Sequence, residues 1–338
     1  MGHAPRAILA LLLTAPFLLA APPRLGPLPA VAVPHASSPT ALTVWLDWYP
    51  NSDHAGIYVA LARGYYARAG LDVRPRVPAG AADALQLVAH GAGDIAISYE
   101  PGVLLARARG IPVVATGAIV QGPLNCVMTL ADSGITRPRQ LQGRDVAIAG
   151  LPSDYTTLTA IVRDDGGDPR TVRSIVVNYG LLPALLRRRV AAVEGVFWTW
   201  EALQAAQQGY RVNVMRVERY GVPSYNELVF ATGTRQLRDE TAILRRFQQA
   251  TFQGYAYASA HPAEAAHILL RAPGVLSASE PLIEHSIRLL APLFRDAHGS
   301  YGTLSAARWQ AYADWMTRGR LVGTHLDARP AITTVLLP

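Results

Sequence analysis

Lysine is absent from the sequence: all 31 basic residues are arginine. A guanidinium stays protonated and forms no Schiff base, so a lysine-bound aldehyde cofactor is excluded. Cysteine occurs once, at Cys126, which excludes an internal disulfide. The nine histidines show neither H-x-x-x-H nor H-E-x-x-H spacing, and "GRDVAIAGLPSD" has neither a Walker nor a dinucleotide-binding form. The sequence therefore contains no recognisable metal or phosphate motif.

Acidic residues are the minority among the charged ones, 24 against 31 arginines, and the pI is about 9.7. The arginines are scattered, however, and their densest run is Arg187-Arg188-Arg189 on a helical pattern. A solvated helix face explains such a run better than a phosphate track, so we do not expect binding to nucleic acid. Half of the 338 residues are hydrophobic, which is enough for one large or two ordinary globular domains.

The apolar run at the N-terminus is too short and too closely bounded by prolines to predict a membrane span. In "MGHAPRAILALLLTAPFLLAAPP" one arginine precedes the run and small residues follow it, which is typical of a secretory signal. We predict a signal peptide and leader over residues 1–30, with cleavage around residues 21–32. No cysteine lies near that cut, so lipid attachment there is excluded. The chain is predicted to be exported to a periplasm or secreted.

Strands and helices then alternate along the chain in two series. Residues 42–48, 71–77 and 94–99 are predicted strands with helical patterns between them, and the alternation restarts at residues 143–150. Such alternation predicts an α/β fold with two lobes, each a mostly parallel sheet flanked by helices.

The second series is predicted to be inserted into the first lobe. Residues 40–131 and 232–338 would form lobe one, and residues 132–231 would form lobe two. The chain would cross between them twice, near 129–134 and 228–234, forming a hinge. Ligands favour clefts of this kind, between two lobes and at the ends of strands.

Three segments resemble a known family. They are "LDWYPNSDHAGIYVALARGYYARAGLDV", "DIAISYEPGVLLARARGIPVVATGAIVQGPLN" and "VFWTWEALQAAQQGYRVNVMRVERYGVPSYNELVFAT". Rare residues recur in them in order, as ISYE, GIPVVA, W-x-W-E and YGVP-x-Y-x-EL. The chain is similar, over roughly residues 42–320, to substrate-binding proteins that feed ABC importers with thiamine-pyrimidine precursors. The resemblance implies the type II periplasmic-binding fold, whose members include riboflavin, sulfonate and nitrate binders.

The resembled family also contains a thiamine-pyrimidine synthase, and this enzyme is not expected here. It uses a lysine-bound pyridoxal phosphate, a histidine that donates atoms and a cysteine-rich iron motif. The chain keeps a matching histidine, His54, but has no lysine and one cysteine. A desulfinase-like enzyme would need a nucleophilic cysteine. Because Cys126 lies in an apolar strand pattern, a buried structural thiol is the more common state. We expect no catalytic residue, metal or cofactor.

Binding an aminopyrimidine requires aromatic faces above and below the ring and carboxylates or amides at its edge. Trp48 follows a predicted strand and is a candidate stacking platform, with core packing as the alternative. Tyr99 and Glu100 stand at a strand's carboxyl end, the usual ligand position in open α/β sheets. His54 is either a ligand contact or a polar residue at a helix start. The candidates from lobe one are Trp48, Asn51, His54, Tyr99 and Glu100, with Asp53 beside them.

Lobe two supplies a second set of candidates. Trp198 and Trp200 cannot both face the cleft from an extended strand, so one of them is expected in the core. Ser153 and Asp154 begin a helix and either meet a polar group of the ligand or simply cap the helix. In the resembled family, residues of this type clasp the pyrimidine in the motif that holds Tyr225 and Glu227; alternatively Glu227 pairs with an arginine. The candidates are Asn125, Ser153, Asp154, Trp198, Trp200, Tyr225 and Glu227, with Glu201 beside Trp200.

These observations together predict a monomeric substrate-binding protein that captures a small aromatic heterocycle between two lobes. The resemblance implies formylaminopyrimidine or hydroxymethylpyrimidine as ligand, and the membrane permease and ATPase of an ABC importer as partners. Riboflavin or another flat heterocycle is the alternative ligand, because it would use the same kind of aromatic clasp. A desulfinase-like or synthase-like enzyme is the remaining alternative.

Overall fold

The strands that alternate with helices assemble into two five-stranded sheets. The computed structural model describes residues 1–2, 38–275, 278–323 and 325–337, so the predicted signal lies outside the described residues apart from its first two. The strands, in chain order, are β1 (Thr40–Trp45), β2 (Leu71–Arg76), β3 (Ile95–Ser98), β4 (Val113–Val120), β5 (Asn125–Leu130), β6 (Asp145–Ile148), β7 (Arg173–Val176), β8 (Ala192–Phe197), β9 (Val212–Arg216) and β10 (Leu228–Gly233).

Helices cover the faces of both sheets, and several carry a proline in the first turn, where the missing N–H has no helical partner to lose. No helix among the described residues combines the length and apolar character needed to cross a bilayer. The helices are α1 (Ala55–Ala62), α2 (Tyr65–Arg68), α3 (Asp83–Ala89), α4 (Glu100–Ala108), α5 (Pro152–Asp164), α6 (Leu181–Leu186), α7 (Glu201–Gln207), α8 (Thr234–Ala260), α9 (Pro262–Leu270), α10 (Glu280–Leu290) and α11 (Ala306–Arg318).

Both sheets have the same plan. The first has the strand order β2-β1-β3-β10-β4, and the second has the order β7-β6-β8-β5-β9. Strand β10 is antiparallel to its neighbours β3 and β4, and β5 is antiparallel to β8 and β9. The remaining pairs are parallel. The predicted architecture of two mostly parallel lobes is confirmed, with one antiparallel strand in each sheet.

The crossings between the lobes lie elsewhere than the sequence pattern suggested. Strand β4 belongs to the first sheet and β5 to the second, so the first crossing is residues 121–124. The second crossing, between β9 and β10, is residues 217–227. The predicted crossings near 129–134 and 228–234 overlap the end of β5 and the whole of β10. An apolar run identifies a strand but does not reveal which sheet the strand joins.

A close helix pair supports the loop that precedes α1. A Cβ added to Gly254 of α8 would lie 1.9 Å from the carbonyl oxygen of Gly56 in α1, so only glycine permits this approach. At the next residue of α8, the hydroxyl of Tyr255 donates to the carbonyl oxygen of Asp53, at 2.7 Å. Through these two contacts the long helix α8 supports the loop between β1 and α1.

Candidate ligand-binding site

Among the cavities that lie where the lobes meet, two contain the predicted aromatic and hinge residues. The larger, here called the aromatic cavity, has a volume of about 310 Å³. The smaller, here called the hinge cavity, has a volume of about 30 Å³ and is lined in part by Asn125 and Glu227, next to the crossings. Trp48 lines both and is their common wall. The aromatic side chains of the larger cavity are Trp48, Tyr49, Tyr179, Trp200 and Tyr210.

Trp48 is half-buried and faces aromatic rings from the opposite lobe. Its ring meets that of Tyr179 edge-on, with centroids 4.6 Å apart, and the rings of Tyr49 and Tyr179 are 5.1 Å apart. The rings of Trp48 and Tyr179 therefore touch across the cleft. Of the two interpretations open to Trp48, the structure favours a cavity wall over a core residue.

Tyr179 belongs to a set of hydrogen bonds that joins the lobes at the cleft. Its hydroxyl donates to the carbonyl oxygen of Pro78, at 3.1 Å. The neighbouring Asn178 accepts from the N–H of Ala81 at 3.0 Å and donates to the carbonyl oxygen of Ala79 at 3.4 Å. Asn178 has φ of 52°, a left-handed conformation that asparagine tolerates better than most residues. These two residues, here called the latch, were not identified from the sequence, because their partners are a hundred residues away.

A carboxylate that the sequence analysis missed organises the first-lobe wall. Asp47 accepts from the hydroxyl of Tyr99 at 2.9 Å through Oδ2 and lies 2.8 Å from His54 Nε2 through Oδ1. The other ring nitrogen of His54 accepts from the N–H of Asn51, at 3.3 Å, so Nε2 carries the proton and donates to Asp47. Asp47 directly precedes Trp48 in the sequence, and this position was the signal that could have identified it as a site residue.

Neither Asn51 nor His54, both predicted ligand contacts, lines the aromatic cavity or the hinge cavity. His54 is fully buried between its two partners. Asn51 caps the short turn Ser52–His54 by accepting from the N–H of Asp53, at 2.8 Å. Both side chains are engaged in these local hydrogen bonds and do not reach the two cavities. The buried Asp53 carboxylate accepts no hydrogen bond among the described residues, and burial, followed by the nearby Asp47 charge, raises its pKa well above the usual range.

Glu100 also points away from both cavities, although Tyr99 before it lines the smaller one. Its Oε2 accepts from the N–H of Asn226, at 2.7 Å, in the second crossing. Burial raises the pKa of Glu100 to about 8. Glu100 therefore bonds to the second crossing, since the first residue of α4 turns toward it.

Glu227 binds one crossing to the other. Its Oε2 accepts from the N–H groups of Leu124 and Asn125, at 2.7 and 2.9 Å, and from the hydroxyl of Tyr225, at 2.9 Å. Burial raises the pKa of Glu227 to about 7. The side chain lines the hinge cavity, and its ion-pair alternative does not occur, because no arginine pairs with it in the described part of the chain.

The second-lobe wall of the hinge cavity is formed by Asn125, Ser153 and Asp154. Asp154 Oδ2 accepts from the N–H groups of Gly150 and Leu151, both at 2.8 Å, and so closes the first turn of α5 as a cap. Burial raises the pKa of Asp154 to about 7. Asp154 therefore caps the helix, and the same carboxylate forms part of the cavity wall.

Glu194 lies directly behind Asn125 and was not singled out from the sequence. The side-chain amide of Asn125 donates to Glu194 Oε1, at 2.9 Å. Its carbonyl oxygen accepts from the N–H of Gly195, at 3.2 Å. Glu194 is fully buried, and burial, with the Asp154 charge next in weight, raises its pKa well above the usual range. A lone carboxylate inside the apolar strand "AAVEGVFW" was the signal that could have identified it.

Of the two tryptophans of W-x-W-E, Trp200 is the buried one, at 3% exposure, and Trp198 is half-buried. Trp200 lines the aromatic cavity together with Glu201, whose Oε2 accepts from the N–H of Phe197 at 2.8 Å. Burial raises the pKa of Glu201 to about 7. Trp198 lines neither cavity. Its indole N–H donates to the carbonyl oxygen of Pro123, at 3.3 Å, and the Arg216 guanidinium lies 4.3 Å from the centre of its ring.

Cys126 is a structural thiol in this geometry. It is fully buried in β5, and its Sγ donates to the carbonyl oxygen of Val196, at 3.2 Å. Burial raises its pKa well above the usual range, which disfavours the reactive thiolate. Within the described ranges no cluster of histidine, cysteine or carboxylate side chains is arranged to hold a metal ion.

Solved structures resemble the whole two-lobed fold. The alkanesulfonate-binding protein SsuA from Xanthomonas axonopodis pv. citri, bound to MOPS, superposes with a TM-score of 0.69 and 16% identity. The match covers 88% of this chain and 99% of that one. At that identity the likeness establishes the periplasmic-binding fold and nothing more specific.

Sequence relatives are more informative. The formylaminopyrimidine-binding protein of Halalkalibacterium halodurans is 34% identical over 81% of this chain and 83% of its own length. The 4-amino-5-hydroxymethyl-2-methylpyrimidine phosphate synthase of Legionella pneumophila is 22% identical over 90% of this chain and 94% of its own length. A family model described as NMT1/THI5 like matches residues 51–265. Together with the fold and the cleft between its lobes, these matches establish that the chain belongs to the NMT1/THI5-like family.

Proposed function

We propose that the protein is the substrate-binding component of an ABC importer, and that it captures a thiamine pyrimidine precursor between its lobes. The precursor is formylaminopyrimidine or hydroxymethylpyrimidine. The observation that carries this proposal is the aromatic cavity, in which Trp48 of one lobe and Trp200 of the other stand beside the buried carboxyl group of Glu201. The similarity to a formylaminopyrimidine-binding protein supports the same ligand class.

The aromatic cavity suits a substituted pyrimidine in size and chemistry. Small-molecule sites generally occupy about 300–1,000 Å³ and combine apolar walls with a few polar groups. The cavity has about 310 Å³. With a pKa of about 7, Glu201 is present in both protonation states near neutral pH. It can therefore donate to a ring nitrogen or accept from the exocyclic amino group while the ring lies against the indoles.

Capture then follows from a hinge motion. Lobe rotation would take place at the two crossings, residues 121–124 and 217–227, which are the places where the chain changes sheet. A ligand held by Trp48 and Trp200 together stabilises the closed form, because only that form contacts both of its faces. The closed protein, exported to the periplasm, would deliver the ligand to a membrane permease driven by its ATPase. An affinity from micromolar to nanomolar, about 8–12 kcal/mol, is sufficient for this role.

The test of ligand class is a thermal-shift screen with five compounds: formylaminopyrimidine, hydroxymethylpyrimidine, riboflavin, taurine and nitrate. A ligand at about 100 times its Kd stabilises the folded protein by roughly 2.7 kcal/mol. We expect one or both pyrimidines to raise the melting temperature clearly. No response to the pyrimidines, combined with stabilisation by taurine or nitrate, would overturn the proposal. Stabilisation by riboflavin alone would mean that riboflavin, and not a pyrimidine, is the ligand.

The binder interpretation has its own test. Protein incubated with a bound pyrimidine, with iron or pyridoxal phosphate added, should return the ligand unchanged in chromatography. The absence of lysine and the buried state of His54 and Cys126 motivate this expectation. Turnover that disappears in His54→Ala or Cys126→Ala would establish an enzyme instead.

A further inference from the structure

The three consecutive arginines of the second lobe do not share one helix face in the structure. Helix α6 ends at Leu186, and the arginines follow it in a turn in which Arg188 has φ of 54°. Arg188 pairs with Asp132, at 2.5 Å, and Arg189 is exposed and lines neither the aromatic cavity nor the hinge cavity. Arg187 lines the aromatic cavity. One arginine of the run is therefore placed at the proposed ligand site, and its two neighbours are not.

The guanidinium of Arg187 has no partner of its own. It makes no ion pair and no hydrogen bond with the described residues. The carboxyl group of Glu201 lines the same cavity but bonds to the N–H of Phe197. No other charged side chain among the described residues lines this cavity. The aromatic cavity therefore contains a charged donor and a separate carboxyl group, which do not satisfy each other.

Two polar groups that stay apart can contact two parts of one ligand. In the proposed binding mode, Glu201 meets the amino-substituted edge of the pyrimidine. A guanidinium can only donate hydrogen bonds, so Arg187 requires an acceptor on another part of the ligand. The two candidate pyrimidines differ in the arm that their ring carries. A formylaminomethyl arm ends in an amide carbonyl, which only accepts, whereas a hydroxymethyl arm is shorter and ends in a hydroxyl group.

The aromatic cavity has room for the longer arm. Its volume of about 310 Å³ lies within the usual range for small-molecule sites. A third cavity, of about 230 Å³, shares Tyr99, Leu151 and Ser153 with the hinge cavity but shares no lining residue with the aromatic one. Arg187 lines neither of these two other cavities. A ligand group bound to Arg187 therefore lies in the aromatic cavity, together with the ring.

We infer that Arg187 is a specificity-determining residue, which donates to the carbonyl oxygen of a formylaminomethyl arm while the ring lies against Trp48 and Trp200. The inference rests on the proposed function and narrows its ligand to formylaminopyrimidine. Because Arg187 is exposed, solvent screens the bond, and its contribution is at the low end for a charge-assisted hydrogen bond. The expected preference for formylaminopyrimidine over hydroxymethylpyrimidine is about 3- to 10-fold.

A guanidinium can also stack on an aromatic ring, and this alternative makes a different prediction. Stacking of Arg187 on the pyrimidine would strengthen the binding of both ligands equally, since their rings are the same. A hydrogen bond to the formyl oxygen strengthens the binding of one ligand only. The ratio of the two affinities therefore measures the contact with the arm.

The experiment is isothermal titration calorimetry of both pyrimidines with the parent protein, Arg187→Met and Arg187→Lys. Methionine keeps an unbranched apolar stem and has no donor, whereas lysine restores a charged donor without the planar fork. In Arg187→Met we expect formylaminopyrimidine to bind about 3- to 10-fold more weakly and hydroxymethylpyrimidine to change by less than about 2-fold. The preference should therefore disappear, and Arg187→Lys should restore part of it.

Arg189→Met is the matched control, because it removes the same charge from an exposed neighbour that lines neither the aromatic nor the hinge cavity. It should leave both affinities within about 2-fold of the parent. Three results would overturn the inference while the proposed function stands: equal weakening of both ligands in Arg187→Met, an equal effect in Arg189→Met, or a parent protein without preference for the formyl ligand. If the parent binds neither pyrimidine, both the inference and the proposed function are wrong.

Discussion

The aromatic cavity and the hinge cavity share Trp48 and differ in almost everything else. The first is wide, and its walls are rings carried by loops and helix ends of opposite lobes, such as Tyr49 and Tyr179. The second is narrow, and its polar groups are anchored to backbone at or next to the crossings, as Glu227 is to Leu124 and Asn125. Groups at a pivot move little when lobes rotate, whereas rings at the rim meet only on closing. The comparison teaches that the polar groups of the hinge cavity are held in place by the backbone, whereas the aromatic cavity depends on the closed arrangement of the lobes.

The largest effect is expected from the residue that the cavities share. Trp48→Ala removes the common wall and the edge-on contact with Tyr179, so affinity for the pyrimidine should fall by at least about 100-fold, as loss of a large aromatic contact produces. Calorimetry measures this directly. Trp45→Ala is the matched control from the end of the preceding strand β1, because Trp45 donates to the carbonyl oxygen of Ala92 and lines neither cavity. Equal losses of affinity in both variants would contradict the assignment of the shared wall.

Glu227→Gln tests the hinge cavity. The glutamine oxygen can still accept the three bonds at the crossing, but the free oxygen becomes an amide N–H₂. Affinity should fall roughly 10- to 150-fold, the value of a charge-assisted hydrogen bond. The melting temperature should not fall at pH 7.5, because the neutral amide removes a buried charge.

Glu100→Gln is the matched control for that change. Glu100 is a buried carboxylate that bonds the same crossing at Asn226 but lines neither cavity. We expect the affinity of the Glu100→Gln variant for the ligand to stay within about 3-fold of that of the parent protein. This change is smaller than the loss of one hydrogen bond would cause. A loss of affinity as large as that of Glu227→Gln would mean that the hinge, and not the cavity, is responsible for both effects.

The unliganded protein should lose stability as the pH rises from 5 to 8. In the unfolded chain the carboxyl groups of Asp154, Glu201 and Glu227 lose their protons near pH 4, with ordinary pKa values of 3.8, 4.5 and 4.5, whereas the folded protein holds them until about pH 7. Between these values the folded state binds more protons, so the free energy of unfolding decreases with pH. Melting temperatures at four pH values should fall by several degrees in total. Glu227→Gln should flatten the slope, and a rise in melting temperature would contradict the assignment.

The smallest effect is expected at the latch. Asn178→Gly preserves the left-handed backbone and removes two hydrogen bonds across the cleft. At the low end of the usual range of about 0.5–1.5 kcal/mol for a neutral bond, the two bonds together contribute about 1 kcal/mol, so dissociation of the ligand should accelerate about 5-fold with little change in melting temperature. Arg320→Gly is the control, at an exposed position with the same φ of 52°. Stopped-flow release that is equal in both variants would show that the latch does not hold the closed form.

The sequence predicted the positions that reach the cavities better than it predicted the directions of the side chains. Residues at or just after strand ends reach the cleft because parallel strands end at one edge of each sheet. The predicted residues that line a cavity are Trp48, Tyr99, Asn125, Ser153, Asp154, Trp200, Tyr225 and Glu227. Four others do not, for local reasons: Asn51 caps a turn, His54 bonds Asp47, Glu100 turns to the crossing, and Trp198 packs against Pro123.

The sequence by itself determined the two-lobed α/β architecture, the family, and the exclusion of lysine-dependent chemistry, because alternation, rare motifs and composition are local properties of the chain. Only the tertiary structure decided which sheet β5 joins, that the latch residues Asn178 and Tyr179 meet the opposite lobe, and that Glu194 and Asp47 stand behind the cavity walls. These features depend on partners up to about a hundred residues away in sequence. No local pattern specifies such contacts, since burial and pairing arise only when both lobes are folded and closed on each other.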